Sequence, residues 1–299
     1  MLLLRPASNR QFIASHLPDD ELRSGSIGDP ESLRQAMMGI THVIHCAGVT
    51  KAVRLDGFYD ANQTGTHNVV AAINEKAGQV ERIVHISSIA AAGPAVPEKP
   101  AREEDLPQPI SEYGRSKLAG ELEVRDHCRA NYVILRPPPV YGPRDVEFLR
   151  LFRAVKRHLR PSVGGAKALS VVFVKDLAEA VVTCLTHAAA AGRTYFVAAR
   201  EVVTARTLAT EVASQMNVWT MPLPLPTALL WPICLAQELT SRLTGKPNLL
   251  NLQKYAELRA PGWVCAPTRL ERETGCACVT PLKAGISETL SWYREHHWL

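Results

Sequence analysis

Short runs of apolar, β-branched residues alternate with longer stretches of helical periodicity through the first 200 residues of this 299-residue chain. The strand-like runs lie at residues 2–4, 41–45, 82–86, 132–135, 169–173 and 194–197. The helical stretches between them lie at 30–38, 57–75, 111–130 and 146–157. Apolar strands that alternate with amphipathic helices are typical of a parallel sheet covered by helices on both faces. The sequence therefore predicts an α/β fold with a doubly wound parallel sheet.

The pattern changes after residue 200. Prolines cluster between residues 222 and 232, and helical periodicity dominates at 205–216, 227–243, 249–257 and 281–296. We therefore expect two units, a sheet domain over residues 1–200 and a smaller, mostly helical lobe over 201–299. The most apolar stretch, 221–239, falls short of the roughly 20 apolar residues that span a bilayer. It predicts an apolar helix at a pocket or an interface.

Charge and cysteine content exclude several classes of protein. The chain has 34 basic and 29 acidic residues, a formal net charge of +5, and no basic stripe interleaved with aromatic residues, so we expect no nucleic-acid partner. Its seven cysteines form no C-x-x-C pair, and no cluster has the spacing of metal ligands. The opening MLLLRP lacks the apolar core of a signal peptide. These features predict reduced cysteines, no metal site and a cytoplasmic location.

Tyr113 and Lys117 stand four residues apart in a predicted helix, so their side chains share one face. An ammonium beside a phenol favours the phenolate, and we expect Lys117 to lower the pKa of Tyr113 from about 10 toward neutrality. Such a tyrosine can act as a general acid or base. Ser88 follows the predicted strand 82–86, at the edge where parallel sheets bind ligands. Its hydroxyl can hold a substrate oxygen, although a serine in this position is also typical of a helix cap.

In this order, Ser88, Tyr113 and Lys117 resemble the catalytic triad of the short-chain dehydrogenase/reductase superfamily. The resemblance is to its extended branch of epimerases, dehydratases and 3β-hydroxysteroid-dehydrogenase-like enzymes. Further segments are similar to that branch: residues 43–49 (VIHCAGV), 62–66 (NQTGT), 135–143 (LRPPPVYGP) and 171–178 (VVFVKDLA). The resemblance covers nearly the whole chain. It implies a Rossmann-like dinucleotide-binding domain over residues 1–200 and a substrate-binding lobe over 201–299.

The same resemblance implies an NAD(P)-dependent oxidoreductase that interconverts a secondary alcohol and a ketone. Tyr113 would donate and accept the proton, Lys117 would hold the nicotinamide ribose, and Ser88 would orient the substrate oxygen. Tyr113 and Lys117 would thus belong to the cofactor site as well. The rest of that site would comprise Arg5, Ala47, Gly48, Val49 and Pro138.

Two departures from the family concern the cofactor. Family members begin with a strand and a G-x-x-G-x-x-G turn that binds the pyrophosphate, and this sequence contains no such motif. Residues 1–7 resemble the family's second strand, so we expect the first strand, the turn and the first helix to be missing. Either the recorded start lies downstream of the true one, or the chain has lost its pyrophosphate site. Arg5 stands where NAD-preferring members have an acidic residue, which favours NADP over NAD.

The substrate is the least constrained part of the prediction. The apolar residues within 223–233 favour a small hydrophobic substrate such as a steroid-like alcohol. Residues 43–53 (VIHCAGVTKAV) are similar to sugar-epimerase segments, so a nucleotide-sugar epimerase or dehydratase is the alternative. A third hypothesis is a non-catalytic relative that serves as a binding module, which the missing glycine-rich turn favours and the intact triad opposes. The resemblance also implies a homodimer.

Overall fold

The structure, a computed structural model, describes residues 1–13, 21–76, 78–163, 165, 167–246, 248 and 251–299. The strands are β1 (Leu2–Leu4), β2 (Leu22–Ser24), β3 (His42–His45), β4 (Arg82–Ile86), β5 (Asn131–Arg136), β6 (Val140–Tyr141), β7 (Leu159–Val163), β8 (Ala168–Leu169), β9 (Val172–Phe173), β10 (Arg193–Phe196), β11 (Val203–Thr204), β12 (Met221–Leu225) and β13 (Gly262–Trp263). The helices are α1 (Pro30–Ala36), α2 (Asp56–Tyr59), α3 (Gly65–Glu75), α4 (Ile89–Ala92), α5 (Glu112–His127), α6 (Phe148–Lys156), α7 (Val174–Thr186), α8 (Ala205–Met216), α9 (Thr227–Thr244), α10 (Leu252–Arg259), α11 (Thr268–Thr274) and α12 (Leu282–Glu295). A π-helical segment, Asp60–Thr64, joins α2 to α3.

Four parallel strands in the order β10-β5-β4-β3 form the main sheet. Alternate residues of its central strands point to opposite faces. Ile83 and Ile134 pack with apolar residues of α3 and α5, whereas Val84 packs on the other face with Val181 of α7 and its neighbours. Both faces of the sheet are therefore covered, and the predicted Rossmann-like α/β fold is confirmed.

The first two strands form a parallel pair of their own, β1 with β2. Helix α1 begins after Asp29, whose carboxylate accepts hydrogen bonds from two backbone N–H groups of the first turn, and its Leu33 and Met37 are buried against α3. Leu3 of β1 and Val43 of β3 pack against the same cluster. This shared cluster fixes the pair beside the main sheet.

Short strands form the rest of the sheet structure: the three-stranded β11-β8-β13 and the pairs β12-β7 and β6-β9. Two predictions are corrected here. Residues 169–173, predicted as one strand, contribute to two short strands, β8 and β9, in different sheets. Residues 221–225, predicted as helix, form β12, because prolines at 222 and 224 cannot donate the hydrogen bonds of a helix interior. The predicted boundary between two domains at residue 200 stays a prediction.

The predicted helix over 205–216 coincides with α8, and the one over 281–296 is shorter by one residue at each end. Two residues of the helix predicted over 249–257, 249 and 250, lie outside the described part, and α10 begins at Leu252. Across the described ranges, no helix is long and apolar enough to cross a membrane.

Candidate active site

Loops at the carboxyl ends of three neighbouring strands line one cavity of about 730 Å³. Gly48 and Val49 follow β3, Ser88 follows β4 and Pro138 follows β5. Carboxyl ends of parallel strands meet at the same edge of a sheet, which explains why residues so distant in sequence converge. Tyr113 and Lys117 of α5 line the same cavity. Six of the predicted site residues therefore share one space.

Two predicted site residues lie elsewhere. Ala47 is exposed and is not among the described residues that line the cavity. Arg5 is also exposed and follows β1, which pairs with β2 outside the main sheet. The proposed contacts of Arg5 and Ala47 with a cofactor stay predictions.

Ser88 caps the short helix α4. Its backbone is extended, and its hydroxyl oxygen accepts a hydrogen bond from the Ala90 N–H at 3.1 Å. Because the oxygen serves as the acceptor there, the hydroxyl proton remains available for a second partner. The cap therefore fixes the serine oxygen at the cavity wall without consuming its capacity to donate.

Tyr113 lies in the first turn of α5. Ser111 caps this helix by accepting a hydrogen bond from the Gly114 N–H at 3.1 Å. A Cβ atom at Gly114 would stand only 2.4 Å from the Ala90 carbonyl oxygen. The missing side chain thus lets α5 approach α4 closely, and this approach brings Tyr113 beside Ser88.

Burial shifts the pKa values of both α5 side chains. Burial raises the pKa of Tyr113 to about 12, against an opposing effect of the Ser88 hydroxyl. Burial lowers the pKa of Lys117 to about 8, and the Glu121 carboxylate opposes that shift. The prediction that Lys117 lowers the pKa of Tyr113 is wrong for this structure. The Lys117 ammonium donates a hydrogen bond to the Ile86 carbonyl oxygen at 2.7 Å, and burial dominates at the phenol.

Asn62, on the π-helical segment, holds the loop after β3. Its Oδ1 accepts a hydrogen bond from the Val49 N–H at 2.9 Å, and its Nδ2 donates to the Val49 carbonyl at 3.0 Å and to the Ser116 hydroxyl at 2.9 Å. A Cβ atom at Gly48 would lie 2.7 Å from Asn62 Oδ1 and 3.8 Å from Lys117 Nζ. In the sequence, Asn62 belongs to the segment 62–66 that resembles the family, but the sequence alone assigned no role to this residue. Here it fixes the loop backbone next to the lysine.

Helix α10 closes the cavity from the other side. Glu257 Oε1 accepts a hydrogen bond from the Ser111 hydroxyl at 2.8 Å, and Gln253 Oε1 accepts one from the Glu112 N–H at 2.7 Å. These contacts join residues more than 140 positions apart. No local pattern in the sequence could have indicated them.

The donors in the cavity fit the nicotinamide ribose of a dinucleotide. Lys117 Nζ is a donor that lies beside Gly48, and the Tyr113 hydroxyl is a second donor in the wall of the same cavity. A vicinal diol can accept hydrogen bonds from such a pair. In the described ranges, no three His, Cys, Asp or Glu side chains come together as a metal site requires.

Comparisons with known proteins agree with this geometry. Residues 4–198 match the model of the NAD dependent epimerase/dehydratase family. The ceramide reductase of Caulobacter vibrioides is 29% identical over 93% of this chain and 82% of its own length. The N-acetyl-alpha-D-glucosaminyl-diphospho-ditrans,octacis-undecaprenol 4-epimerase of Escherichia coli O157:H7 is 26% identical over 94% of this chain and 86% of its own. The UDP-glucose 4-epimerase of Thermus thermophilus, solved as a complex with NAD, superposes with a TM-score of 0.74 at 22% identity over 98% of this chain and 90% of that chain.

The fold defines a protein of the Rossmann-like α/β class, with a cavity at the carboxyl edge of its main sheet. The chain belongs to the NAD dependent epimerase/dehydratase family, the extended branch of the short-chain dehydrogenases/reductases. By their names, its relatives include a reductase, epimerases and dehydratases.

Proposed function

We propose that this chain is an NAD(P)-dependent oxidoreductase that interconverts a secondary alcohol and a ketone on a small hydrophobic substrate. The observation that carries the proposal is the convergence of Ser88, Tyr113 and Lys117 on one cavity. A bound nicotinamide supplies the chemistry of hydride transfer at the alcohol carbon. Lys117 and Tyr113 would hold its ribose beside Gly48 and Val49.

Tyr113 moves the proton in this proposal. With a pKa of about 12 it carries its proton at neutral pH, so it can donate that proton to the carbonyl oxygen during reduction. The reverse reaction returns the proton from the alcohol to the phenolate. Lys117, with a pKa of about 8, is predominantly an ammonium at neutral pH, and this ammonium would donate to the nicotinamide ribose. The Ser88 hydroxyl donates a hydrogen bond to the substrate oxygen.

Among the described residues that line the cavity, none belongs to 223–233, so the predicted contribution of that segment to the substrate site is wrong. The cavity wall nevertheless supports a hydrophobic substrate. Its apolar side chains include Phe58, Ile86, Ile89, Val140, Phe148, Leu169, Leu177, Leu258 and Trp263. Ligand pockets with walls of this kind select apolar ligands and use a few polar groups to orient them. In this cavity Ser88 and Tyr113 are the orienting groups.

A nucleotide-sugar epimerase or dehydratase is the second candidate, because three lysines also line the cavity and could bind a diphosphate. Each already has a partner. Lys51 pairs with Glu147 at 2.5 Å, Lys254 pairs with Glu257 at 3.0 Å, and Lys167 donates to the Leu258 carbonyl at 2.5 Å. A diphosphate would have to displace these partners, and we therefore favour the hydrophobic substrate.

Three further parts of the proposal rest on the sequence. Arg5 favours NADP over NAD as the cofactor. A homodimer and a cytoplasmic location are the expected quaternary state and compartment. A non-catalytic binding module is disfavoured, because the three triad residues line one cavity together with Gly48, whose loop resembles the family's cofactor-binding segment.

Replacement Tyr113→Phe tests the proposed function. Wild-type protein should oxidise or reduce hydrophobic alcohols or ketones, followed by the absorbance of reduced nicotinamide. The variant should lose a factor of roughly 100 or more in kcat, whereas NADPH affinity should fall by no more than about tenfold, the effect of one lost hydrogen bond to the ribose. Tyr132→Phe, at the opposite end of the sheet in β5, is the matched control and should keep full activity. An active Tyr113→Phe protein, or wild-type turnover of a UDP-sugar alone, would contradict the proposal.

A further inference from the structure

Helix α9 buries only one narrow stripe. Leu230, Cys234 and Ser241 share that stripe and are each at most 5% exposed. The opposite face is solvent-exposed and consists of apolar residues apart from Thr240: Ala228, Leu229, Pro232, Ile233, Ala236, Leu239 and Leu243. The two charged residues, Glu238 and Arg242, pair with each other at 2.7 Å on the flank. A helix whose outer face meets water normally carries charged residues there.

Strand β12 precedes α9 in the chain and also exposes apolar side chains. It leads into α9 through Pro226, and Trp219, Met221 and Leu223 around it are 66%, 56% and 38% exposed. We call these residues and the exposed large apolar residues of α9 the apolar patch: Trp219, Met221, Leu223, Leu229, Trp231, Ile233, Leu239 and Leu243. Single exposed apolar residues are ordinary, but a concentration within 25 residues marks an interaction surface.

A basic segment runs beside the apolar patch. Residues 148–175 contain no Asp or Glu. The cations of α6, of the turn after it and of β7 are Arg150, Arg153, Lys156, Arg157 and Arg160. Within the described ranges none of the five has a carboxylate partner. Strand β7 pairs with β12, so that Arg160 stands opposite Pro222. The His158 ring stacks on Trp219 with centroids 4.3 Å apart, which ties the two surfaces together.

Charge distinguishes between the partners that could cover this surface. A two-fold contact between copies of the chain would bring two sets of unpaired cations together, which is repulsive. Strand addition at β12 is blocked at Pro222 and Pro224, which lack the N–H groups that a ladder needs. An anionic lipid surface fits both the apolar patch and the basic segment. It accepts apolar and tryptophan side chains at its boundary, and it attracts unpaired cations.

We propose that the apolar patch and the basic segment dock on the surface of an anionic phospholipid membrane. Pro161 of β7 stands opposite Leu223 in β12 and also lines the cavity. The proposed docking surface therefore borders the cavity. This proposal does not depend on the activity assigned to Tyr113.

Sedimentation with vesicles tests the proposal. The purified chain should sediment with phosphatidylglycerol/phosphatidylcholine vesicles, and binding should weaken with added salt and with pure phosphatidylcholine. Two double variants should each weaken binding by about tenfold or more, Leu239→Glu with Leu243→Glu in the patch and Lys156→Glu with Arg157→Glu in the basic segment. All four side chains are exposed, so the variants should fold. Leu106→Glu is the matched control, since Leu106 is 82% exposed outside the patch.

Several outcomes would overturn the proposal. Failure of the folded wild-type chain to bind the anionic vesicles is one. Equal binding by wild type and by the patch variant is another. Light scattering that shows a dimer for wild type and a monomer for the patch variant, without vesicle binding by either, would identify the patch as a contact between two copies of the chain.

Discussion

Glu121 and Arg136 form a buried ion pair beside the cavity. Glu121 is inaccessible and Arg136 is 3% exposed. The carboxylate accepts two hydrogen bonds from the guanidinium, at 2.9 and 2.6 Å, and one from the Ser87 hydroxyl at 2.5 Å. The pair thus ties α5 to β5 and to the end of β4, the elements that carry Tyr113, Pro138 and Ser88.

Glu121→Gln should therefore destabilise the fold. Removing one charge of a buried pair leaves the other uncompensated, and such changes cost about 3–5 kcal/mol. Urea unfolding would measure the loss of unfolding free energy. Glu123→Gln, two residues further along α5 and with an exposed histidine as its partner, should cost less than about 1 kcal/mol. Equal stability of the two variants would show that the buried pair contributes little.

Arg5 is the residue that should decide between the two nicotinamide cofactors. A guanidinium that binds the 2′-phosphate contributes a charge-assisted hydrogen bond, so Arg5→Asp should weaken NADPH binding by roughly tenfold or more and leave NADH binding unchanged. Tryptophan fluorescence titration would measure both affinities. Arg129→Asp, another exposed arginine, serves as the control. If Arg5→Asp weakens NADPH and NADH binding equally, Arg5 does not select the cofactor.

The sequence predicted which side chains meet at the cavity, but it did not predict the pKa values of these side chains. Ser88, Tyr113 and Lys117 could be found because each follows a strand or lies on one helix face. The pKa of Tyr113 could not, because it depends on burial by α10 and on the direction of the Lys117 ammonium toward Ile86. Asn62 and Glu257 act through contacts that only the folded chain creates.

At the scale of single elements, α5 packs closely on two sides. Gly114 faces α4, and Gly120 faces the π-helical segment, where a Cβ atom would lie 2.4 Å from the Asn62 carbonyl oxygen. Gly114 lies in the first turn of α5 and Gly120 in its interior, where glycine is intrinsically unfavourable by about 1 kcal/mol relative to alanine. Close packing is therefore the reason that α5 has glycine at these positions.

Gly120→Ala should consequently reduce stability, although helix propensity alone predicts a gain. Overpacking of this kind costs about 1–3 kcal/mol, and displacement of Asn62 should also weaken NADPH binding through the loop at Gly48. Thermal or urea unfolding and a cofactor titration would measure the two effects. Ala119→Gly exchanges the same residue types at the neighbouring position and should cost about 1 kcal/mol without changing cofactor affinity. A more stable Gly120→Ala protein would rule out the close packing described here.

Elements were predictable where one period dominated the pattern. The helix over 205–216 and the strand over 82–86 agree with the structure to the residue. The segment 169–173 does not agree with its prediction as a single strand, because Ser170 interrupts the strand. Its N–H donates to the Trp263 carbonyl and its hydroxyl accepts from the Cys265 N–H, so β8 and β9 belong to different sheets. Such a division depends on residues more than 90 positions away.

At the scale of the whole molecule, two histidines are buried side by side in the main sheet, His45 on β3 and His85 on β4. The rings of His45 and His85 lie 5.1 Å apart. Burial, and then the nearby Lys117 ammonium, lowers the pKa of His45 to about 3. The same causes, together with His45, lower the pKa of His85. The Thr66 hydroxyl donates to the Asn62 carbonyl, so it accepts from His45 Nε2–H.

Stability should therefore fall in mild acid. The unfolded chain binds a proton at His45 below about pH 6.5 while the folded chain does not until about pH 3, so the unfolding free energy rises with pH within that window. The difference at pH 5 is about 2 kcal/mol for His45. Urea unfolding at pH 7.5 and at pH 5 should show a smaller loss for His45→Asn than for wild type. His67→Asn, at an exposed histidine, should leave the loss unchanged, and an equal loss in all three proteins would contradict this origin.

Helix α10 contacts both regions to which a function is assigned. It holds the start of α5 through Gln253 and Glu257, and its Leu252 N–H donates to the Glu238 carboxylate of α9 at 3.2 Å. A helix that contacts two binding regions is a path along which binding at one can alter affinity at the other. If an occupant on the outside of α9 changes the affinity of the cavity for its ligand by some factor, the ligand must change the affinity of that occupant by the same factor.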